Sequence, residues 1–214
     1  MAHVVSVNAG VPREVESRGQ VVRTGIFKSP VAGRVAVGPL NLDGDAQADL
    51  SVHGGTDKAV YAYPSEHYPV WRQELPELDF PWGAFGENLT IAGLHEAAVC
   101  IGDRLHIGTA VFRVTQPRMP CLKLGVRFDR PDMIKRFQHS GRSGFYLAVV
   151  ESGEIGAGDV IEHQPSATAS LSVAAITRLY VAHEPDQKLL RRASELAALP
   201  EGWRSHFRKR LGTR

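Results

Sequence analysis

The sequence predicts a β-rich α+β fold: a barrel-like sheet domain with helical insertions over residues 1–165, then a small three-helix domain over residues 166–214. Three observations carry this. Residues 1–163 hold short apolar runs between turn signals, spaced too closely for helices between most of them. Only two stretches in that region have helical character. After QPSATAS (164–170), a polar linker-like segment, the apolar period changes from that of strands to that of helices.

Taken in order, HVVSVNAG, VVRTGIF, GRVAVG, KAVYAYP, RLHIG, AVFRVTQ and GFYLAVV read as strands. Gly-Asp pairs open strands twice, at GDRLHIG from 102 and GDVIEH from 158. SEHYPVWRQEL (65–75) reads as a helix with Ser65 as N-cap and Pro69 in its early turns. RPDMIKRFQHS (130–140) reads as a second, with Met133, Ile134 and Phe137 at helical spacing. In the tail, LSVAAITRLYV, PDQKLLRRASELAAL and PEGWRSHFRKRL each fit an amphipathic helix, and Leu189, Leu190, Leu196 and Leu199 make one face. A bundle this small is marginal alone and needs the sheet domain or a second copy to lean on.

The chain has 214 residues, 43% hydrophobic and 22% charged, which supports a sizeable core and excludes disorder. No apolar stretch is long enough to span a bilayer. MAHVVSVNAG lacks the charged and apolar regions of a signal peptide, so a cytoplasmic protein is expected. Two cysteines make no disulfide framework. Residues 166–214 hold nine Arg and Lys against four Asp and Glu, a net +5, so the rest carries −3 of the total +2. Such a tail could meet nucleic acid, but a solvated helix face explains it more simply.

The stretch QPRMPCLKLG (116–125) places Cys121 after Pro120 and between Arg118 and Lys123. Positive charge favours the thiolate, and the prolines stiffen the loop. The residues leave two readings open: a reactive or ligating thiolate, or a small buried hydrophobe. Cys100, after Ala-Ala-Val, reads as an apolar strand residue. HGGTDKAVYAY (53–63) offers His53, a flexible Gly54-Gly55 pair whose N–H groups can cradle an anion, and Lys58. No His or Cys stands at zinc spacing from His53. Lys28-Ser29 offers an ammonium and a hydroxyl, equipment for a phosphate, and FGENLT (85–90) places Asn88 in a polar turn. Neither a Walker A loop nor a G-x-S-x-G elbow is present.

In order, KSPV, GDxQADLSVHGGTDKAVYAY, GAFGENLT, GDRLHIG, PRMPCLK and GFYLAVV resemble a MOSC domain, named for the C-terminal part of molybdenum cofactor sulfurase. The tail resembles the extra domain of the bacterial MOSC branch that confers resistance to N-hydroxylated bases. The resemblance implies a MOSC-type β-barrel that binds the molybdenum cofactor (Mo-molybdopterin), with Cys121 as metal ligand or sulfur carrier. It implies that Lys28 and Ser29 grip the pterin phosphate and that Asn88 lies near the cofactor. It further implies that His53, Gly54, Gly55, Asp57 and Lys58 line the site, with Arg118 a phosphate or pterin contact. The implied activity is reduction of N-hydroxylated bases, amidoximes or hydroxylamines to amines, a detoxification. Electrons would come from a partner reductase, because two cysteines cannot hold a four-cysteine cluster and no flavin or haem motif appears. The alternative is a carrier that hands sulfur or the cofactor to another enzyme. The tail would dock the electron donor or form a homodimer.

Overall fold

The computed structural model describes residues 1–48, 54–167 and 170–212. The strands are β1 (His3–Ala9), β2 (Arg13–Ser17), β3 (Gln20–Thr24), β4 (Ser29–Pro30), β5 (Arg34–Val37), β6 (Val60–Pro64), β7 (Leu89–Ala92), β8 (Arg104–Ile107), β9 (Ala110–Pro117), β10 (Phe145–Glu151), β11 (Gly153–Gly156) and β12 (Ile161–Gln164). The helices are α1 (His67–Glu74), α2 (Leu122–Phe128), α3 (Met133–Ser140), α4 (Val173–Val181), α5 (Gln187–Glu195) and α6 (Glu201–Gly212), with a 3₁₀ turn at Thr56–Lys58. This is a mixed α+β fold with a C-terminal helical unit.

One sheet of eight strands dominates, in the order β12-β8-β9-β10-β6-β7-β1-β4, with β11-β5 and β2-β3 as separate pairs. Among the described residues every strand pairing is antiparallel except β6 with β7. The parallel pair requires a crossover, and residues 65–88, including α1, supply it.

The sheet curls without closing, which corrects the expected barrel: among the described residues no ladder joins β12 or β4 back to the other edge. The two ends meet at a seam. Val4 N donates to Asp159 O at 2.9 Å, Gly158 N to Val4 O at 2.8 Å and Ile161 N to Ala2 O at 2.9 Å. His3 and Val160 form an isolated bridge. The physical reason is local. Gly158, at φ 90°, turns the chain where it meets β1, so a run of paired residues never develops. At the opposite edge β4 is two residues long and includes Pro30, which has no N–H to extend a ladder.

Two cores form. The larger is mostly aliphatic and continuous from the sheet (Val7, Leu89, Ile101, Leu105, Phe112) into the tail (Ile176, Leu179, Leu190, Leu199, Phe207). The smaller, under α1–α3, is mostly aromatic: Tyr61, Tyr63, Tyr68, Trp71, Phe80, Phe85, Phe128 and Phe137. Its rings meet by stacking and by edges, as between Tyr63 and Phe85 at 4.7 Å and between Tyr68 and Trp82 at 4.6 Å.

The tail helices begin where capping residues stand. Ser172 Oγ accepts from Ala175 N, Asp186 Oδ1 accepts from Lys188 N and Leu189 N, and α6 begins directly after Pro200. Ser65 does not cap α1. Glu66 holds the N-cap position without a side-chain bond, and the Ser65 hydroxyl donates to Glu66 instead. Some of the tail's basic charge is structural. Arg210 donates to the carbonyls of Leu179, Tyr180 and Ala182, tying the end of α4 to α6, and Arg204 and Arg208 pair with Glu201. Among the described residues no helix is long and apolar enough to cross a membrane.

Candidate functional site

Two adjoining clefts share Lys58, Met119, Cys121 and Tyr146. The inner one, about 120 Å³, is also lined by Lys28, Asp45, Tyr61, Asn88, Arg118 and Lys123. The outer one, about 650 Å³, is bounded by residues 54–58, by Gln116 at the end of β9, and by Tyr180, Trp203 and His206 of the tail.

Cys121 stands where the clefts join. β9 ends at Pro117, the chain turns through Pro120, and Cys121 occupies the position before α2 with an extended backbone (φ −133°, ψ 175°). It is half-buried and forms no disulfide. Cys100 is the contrast: it lines neither cleft, its backbone N–H is held by Asp103 Oδ2 at 2.8 Å, and burial followed by the Asp103 charge pushes its thiol pKa up.

Arg118 lies under the inner cleft, 5% exposed. Its guanidinium sits 5.3 Å from the Tyr61 ring centroid and 5.0 Å from that of Phe137. Burial disfavours the cation, but Tyr61, Tyr146, Cys121 and Tyr63 more than offset this, and its pKa is raised. Nη1 is buried, with no hydrogen-bond partner among the described residues. A buried cationic donor left unmatched is costly, and an anion in the cleft would satisfy it.

Lys28 is nearly enclosed and forms a short ion pair with Asp45. Burial lowers its pKa, against the opposing pull of Asp45 and Glu87. Asp45 also accepts from Gly10 N at 3.0 Å and from Asn88 Nδ2 at 2.9 Å. Asn88 Oδ1 accepts from Tyr61 N at 3.0 Å, so this side chain braces β6 against the Lys28–Asp45 pair. Behind it, buried Glu87 accepts from the Tyr68 hydroxyl, from Gly83 N and Phe85 N, and from Thr90 Oγ1. Burial raises its pKa, and these donors pull the other way. The turn so held presses on the Lys28 segment. A Cβ on Gly83 would lie 2.9 Å from Lys28 O, and one on Gly86 would lie 2.7 Å from Ile26 Cγ1.

Lys58 is half-buried, and its pKa is lowered by burial while Asp57 and Cys121 oppose that. Gly54, Gly55 and Asp57 line the outer cleft only. Gly55, at φ 93°, opens the 3₁₀ turn that carries Asp57 and Lys58, and its N–H is held by Gln47 Oε1 at 2.8 Å. Ser29 is exposed in β4 and lines neither cleft. His53 lies outside the described residues.

Local sequence reading did not single out Asp45, Tyr61, Tyr146 or Gln116, nor Tyr180, Trp203 and His206. Trp203 and His206 do carry a signal, standing three residues apart on one face of α6. Among the described residues, the one His/Cys/Asp/Glu group with ligand atoms within 4.8 Å of one another is His67, His95 and Glu96. It lies outside both clefts, and its contacts are internal hydrogen bonds. His67 Nε2 lies 3.0 Å from both Glu96 oxygens, and Gly144 N donates to Oε1 at 2.7 Å.

The MOSC domain family profile matches residues 49–162, and that of the YiiM-like three-α-helix domain matches residues 171–214. The Bacillus subtilis (strain 168) protein YflK is 41% identical over 207 residues, 97% of this chain and 93% of that protein. A protein named Reductase from Gibberella moniliformis is 35% identical over 196 residues; these are 90% of this chain but 35% of the reductase. The crystal structure of YiiM from Geobacillus stearothermophilus superposes with a TM-score of 0.83 at 37% identity, covering 99% of this chain and 100% of that one.

Proposed function

The chain belongs to the MOSC family, in the branch with a YiiM-like three-helix domain, and from that premise we propose that it is a molybdenum-cofactor-dependent oxidoreductase that reduces N-hydroxylated compounds to amines. The observation that supports this most is the placement of Cys121 at the junction of a cationic inner cleft and a wide outer one.

The residues present fit the cofactor. Cys121 offers a soft thiolate for molybdenum. Arg118 Nη1, buried and unmatched, suits the anionic end of a phosphate-bearing group, with Lys58, Lys28 and Asn88 around it. When bound, the cofactor supplies a two-electron centre for R–NHOH + 2e⁻ + 2H⁺ → R–NH₂ + H₂O.

The chain's own residues do the rest. Pro117 and Pro120 fix the Cys121 loop, Arg118 and Lys58 hold negative charge beside it, and the tail helices wall the outer cleft where a substrate reaches the thiol's side. The electron donor is a separate reductase. The longer Reductase from Gibberella moniliformis supports this reading, because about two-thirds of its length lies beyond the part that matches this chain. Hydroxylamines, amidoximes and N-hydroxylated bases are the substrate classes.

The test measures molybdenum per chain in wild type and Cys121→Ser, each made in a cofactor-competent host with molybdate. Both are then assayed for NADH-coupled reduction of an N-hydroxylated base with an added reductase. Near-stoichiometric metal and turnover in wild type, both lost in Cys121→Ser, is the expected result. Equal turnover by the two proteins overturns the role of Cys121. Metal absent from both folded proteins, with persulfide on Cys121, overturns the reductase reading in favour of sulfur carriage.

A further inference from the structure

Away from both clefts, the group around Glu96 holds more ligand chemistry than its hydrogen bonds require. Two dipeptides of mirrored order meet there: Glu66-His67 at the start of α1, and His95-Glu96 in the loop after β7. His67 Nε2 lies 3.0 Å from both Glu96 oxygens, and His95 Nε2 lies 3.7 Å from Glu66 Oε1. The first contact is a hydrogen bond and needs one imidazole and one carboxylate. The second is too long to be one, so hydrogen bonding does not account for the second imidazole. The two rings nevertheless converge, with centroids 5.9 Å apart. A ligand atom of each of His67, His95 and Glu96 lies within 4.8 Å of the other two.

A tetrahedral zinc ion with bonds of about 2.0–2.2 Å holds its ligand atoms about 3.3–3.6 Å apart. His67 and Glu96 already stand near that spacing. His95, whose side chain is 47% exposed, has at most about 1.5 Å to close from the 4.8 Å limit. Both carboxylates are aimed by backbone donors. Gly144 N donates to Glu96 Oε1 at 2.7 Å, and Gly93 N, in a turn at φ 77°, donates to Glu66 Oε1 at 2.6 Å. Contacts of this kind orient the ligands of a metal centre. Two carboxylates and two neutral imidazoles balance one divalent cation, and the pairing of imidazole with carboxylate suits zinc better than magnesium or calcium. His67 and Glu96 close the site on the protein side, while His95 and Glu66 open it to solvent and give an ion a path in.

We propose that His67, His95 and Glu96 bind one divalent ion of the zinc class, with a water in the fourth position hydrogen-bonded to Glu66. The ion replaces the proton of the His67–Glu96 hydrogen bond. Its place in the fold makes it a clasp. His67 begins the crossover helix α1, and the loop from 93 to 99 carries the start of the tail: Ala174 N donates to Glu96 O and Val173 N to Val99 O, both at 2.9 Å. A bound ion joins these two segments.

The experiment strips the untagged full chain with a chelator and titrates zinc by calorimetry, with Tm read alongside, in wild type, His95→Gln and Cys121→Ser. Wild type and Cys121→Ser should each retain about one zinc per chain through gel filtration, and His95→Gln should bind about tenfold or more weakly. At about a hundredfold excess over Kd, zinc should raise the wild-type Tm by about 5 °C or more, and far less in His95→Gln. Cobalt(II) in place of zinc should give visible d–d bands without the near-ultraviolet charge-transfer band of a thiolate ligand. That band would overturn the ligand set even if His95→Gln failed to fold. Zinc bound only at millimolar concentration, zinc bound equally by wild type and His95→Gln, or zinc lost in Cys121→Ser also overturns the site. Molybdenum content should be unchanged in His95→Gln, so the clasp and the reductase reading stand or fall separately. Its loss together with zinc would overturn the clasp as a separate site.

Discussion

The inner and outer clefts meet at one cysteine but are built from different physics. The inner cleft is charge in confinement: Lys28 against Asp45, which Asn88 braces, and Arg118 against aromatic faces, all from segments before the tail. The outer cleft is wider and has one wall of rings, Tyr180, Trp203 and His206, contributed by helices far along the chain. Confinement makes the inner cleft intolerant where a buried polar group has a fixed partner, as Lys28 has Asp45. The outer wall depends instead on where α4 and α6 sit, and so on the core beneath them. Variants that disturb one cleft without the other separate the two.

The largest effect should come from beneath the outer wall. Phe207→Ala removes a fully buried ring shared by α6 and the sheet core, and should cost about 3–5 kcal/mol in urea unfolding. A loss under about 1 kcal/mol would show that the tail does not depend on that core. Next, Tyr68→Phe removes the hydroxyl donor to buried Glu87 and loosens the turn that presses on Lys28. About 1–3 kcal/mol should be lost, along with molybdenum retention.

Arg118→Met deletes a buried cation whose Nη1 has no partner among the described residues. Stability should change by less than about 1 kcal/mol, while molybdenum content and turnover fall about tenfold or more. A large destabilisation with metal retained would make Arg118 a packing residue.

The smallest effect belongs to His206. Burial lowers its pKa below 6.5, and Arg210 and Lys209 push the same way. Between that folded value and 6.5 the unfolded chain binds a proton the folded chain does not, so stability falls as pH drops through the window. Tm should decline from pH 7.5 to 5.5, and the decline should be smaller in His206→Gln. Identical declines would show that His206 does not titrate between the folded and unfolded states.

How much of this the sequence disclosed follows from the range of each signal. The short apolar runs of β1, β6, β8, β9 and β10 and the amphipathic tail helices are local patterns, and they were legible. α2 was not, because it is short, contains Gly125 and follows a proline-stiffened loop. β7 was not, because its pairing with β6 is non-local. In the candidate site, Cys121, Lys28, Lys58, Asn88 and Arg118 stood out by residue type and motif, and the fold gathers them at one cleft. Asp45, Gln116 and Tyr180 did not, since their placement depends on strands and helices from distant parts of the chain. The missing ladder between the sheet's edges rests on the backbone geometry of Gly158, which no periodicity encodes.

The seam between β1 and residues 158–161 also has a consequence in time. Its two sides are separated by more than 150 residues, so at ordinary synthesis rates β1 leaves the ribosome on the order of ten seconds before its partners exist. Through that interval β1 can pair with β7 but not along the seam, and the seam joins only after nearly the whole sheet is made. Such late, long-range contacts form slowly and reopen first, so amide exchange at Val4, Gly158 and Ile161 would be the earliest sign of the native sheet loosening.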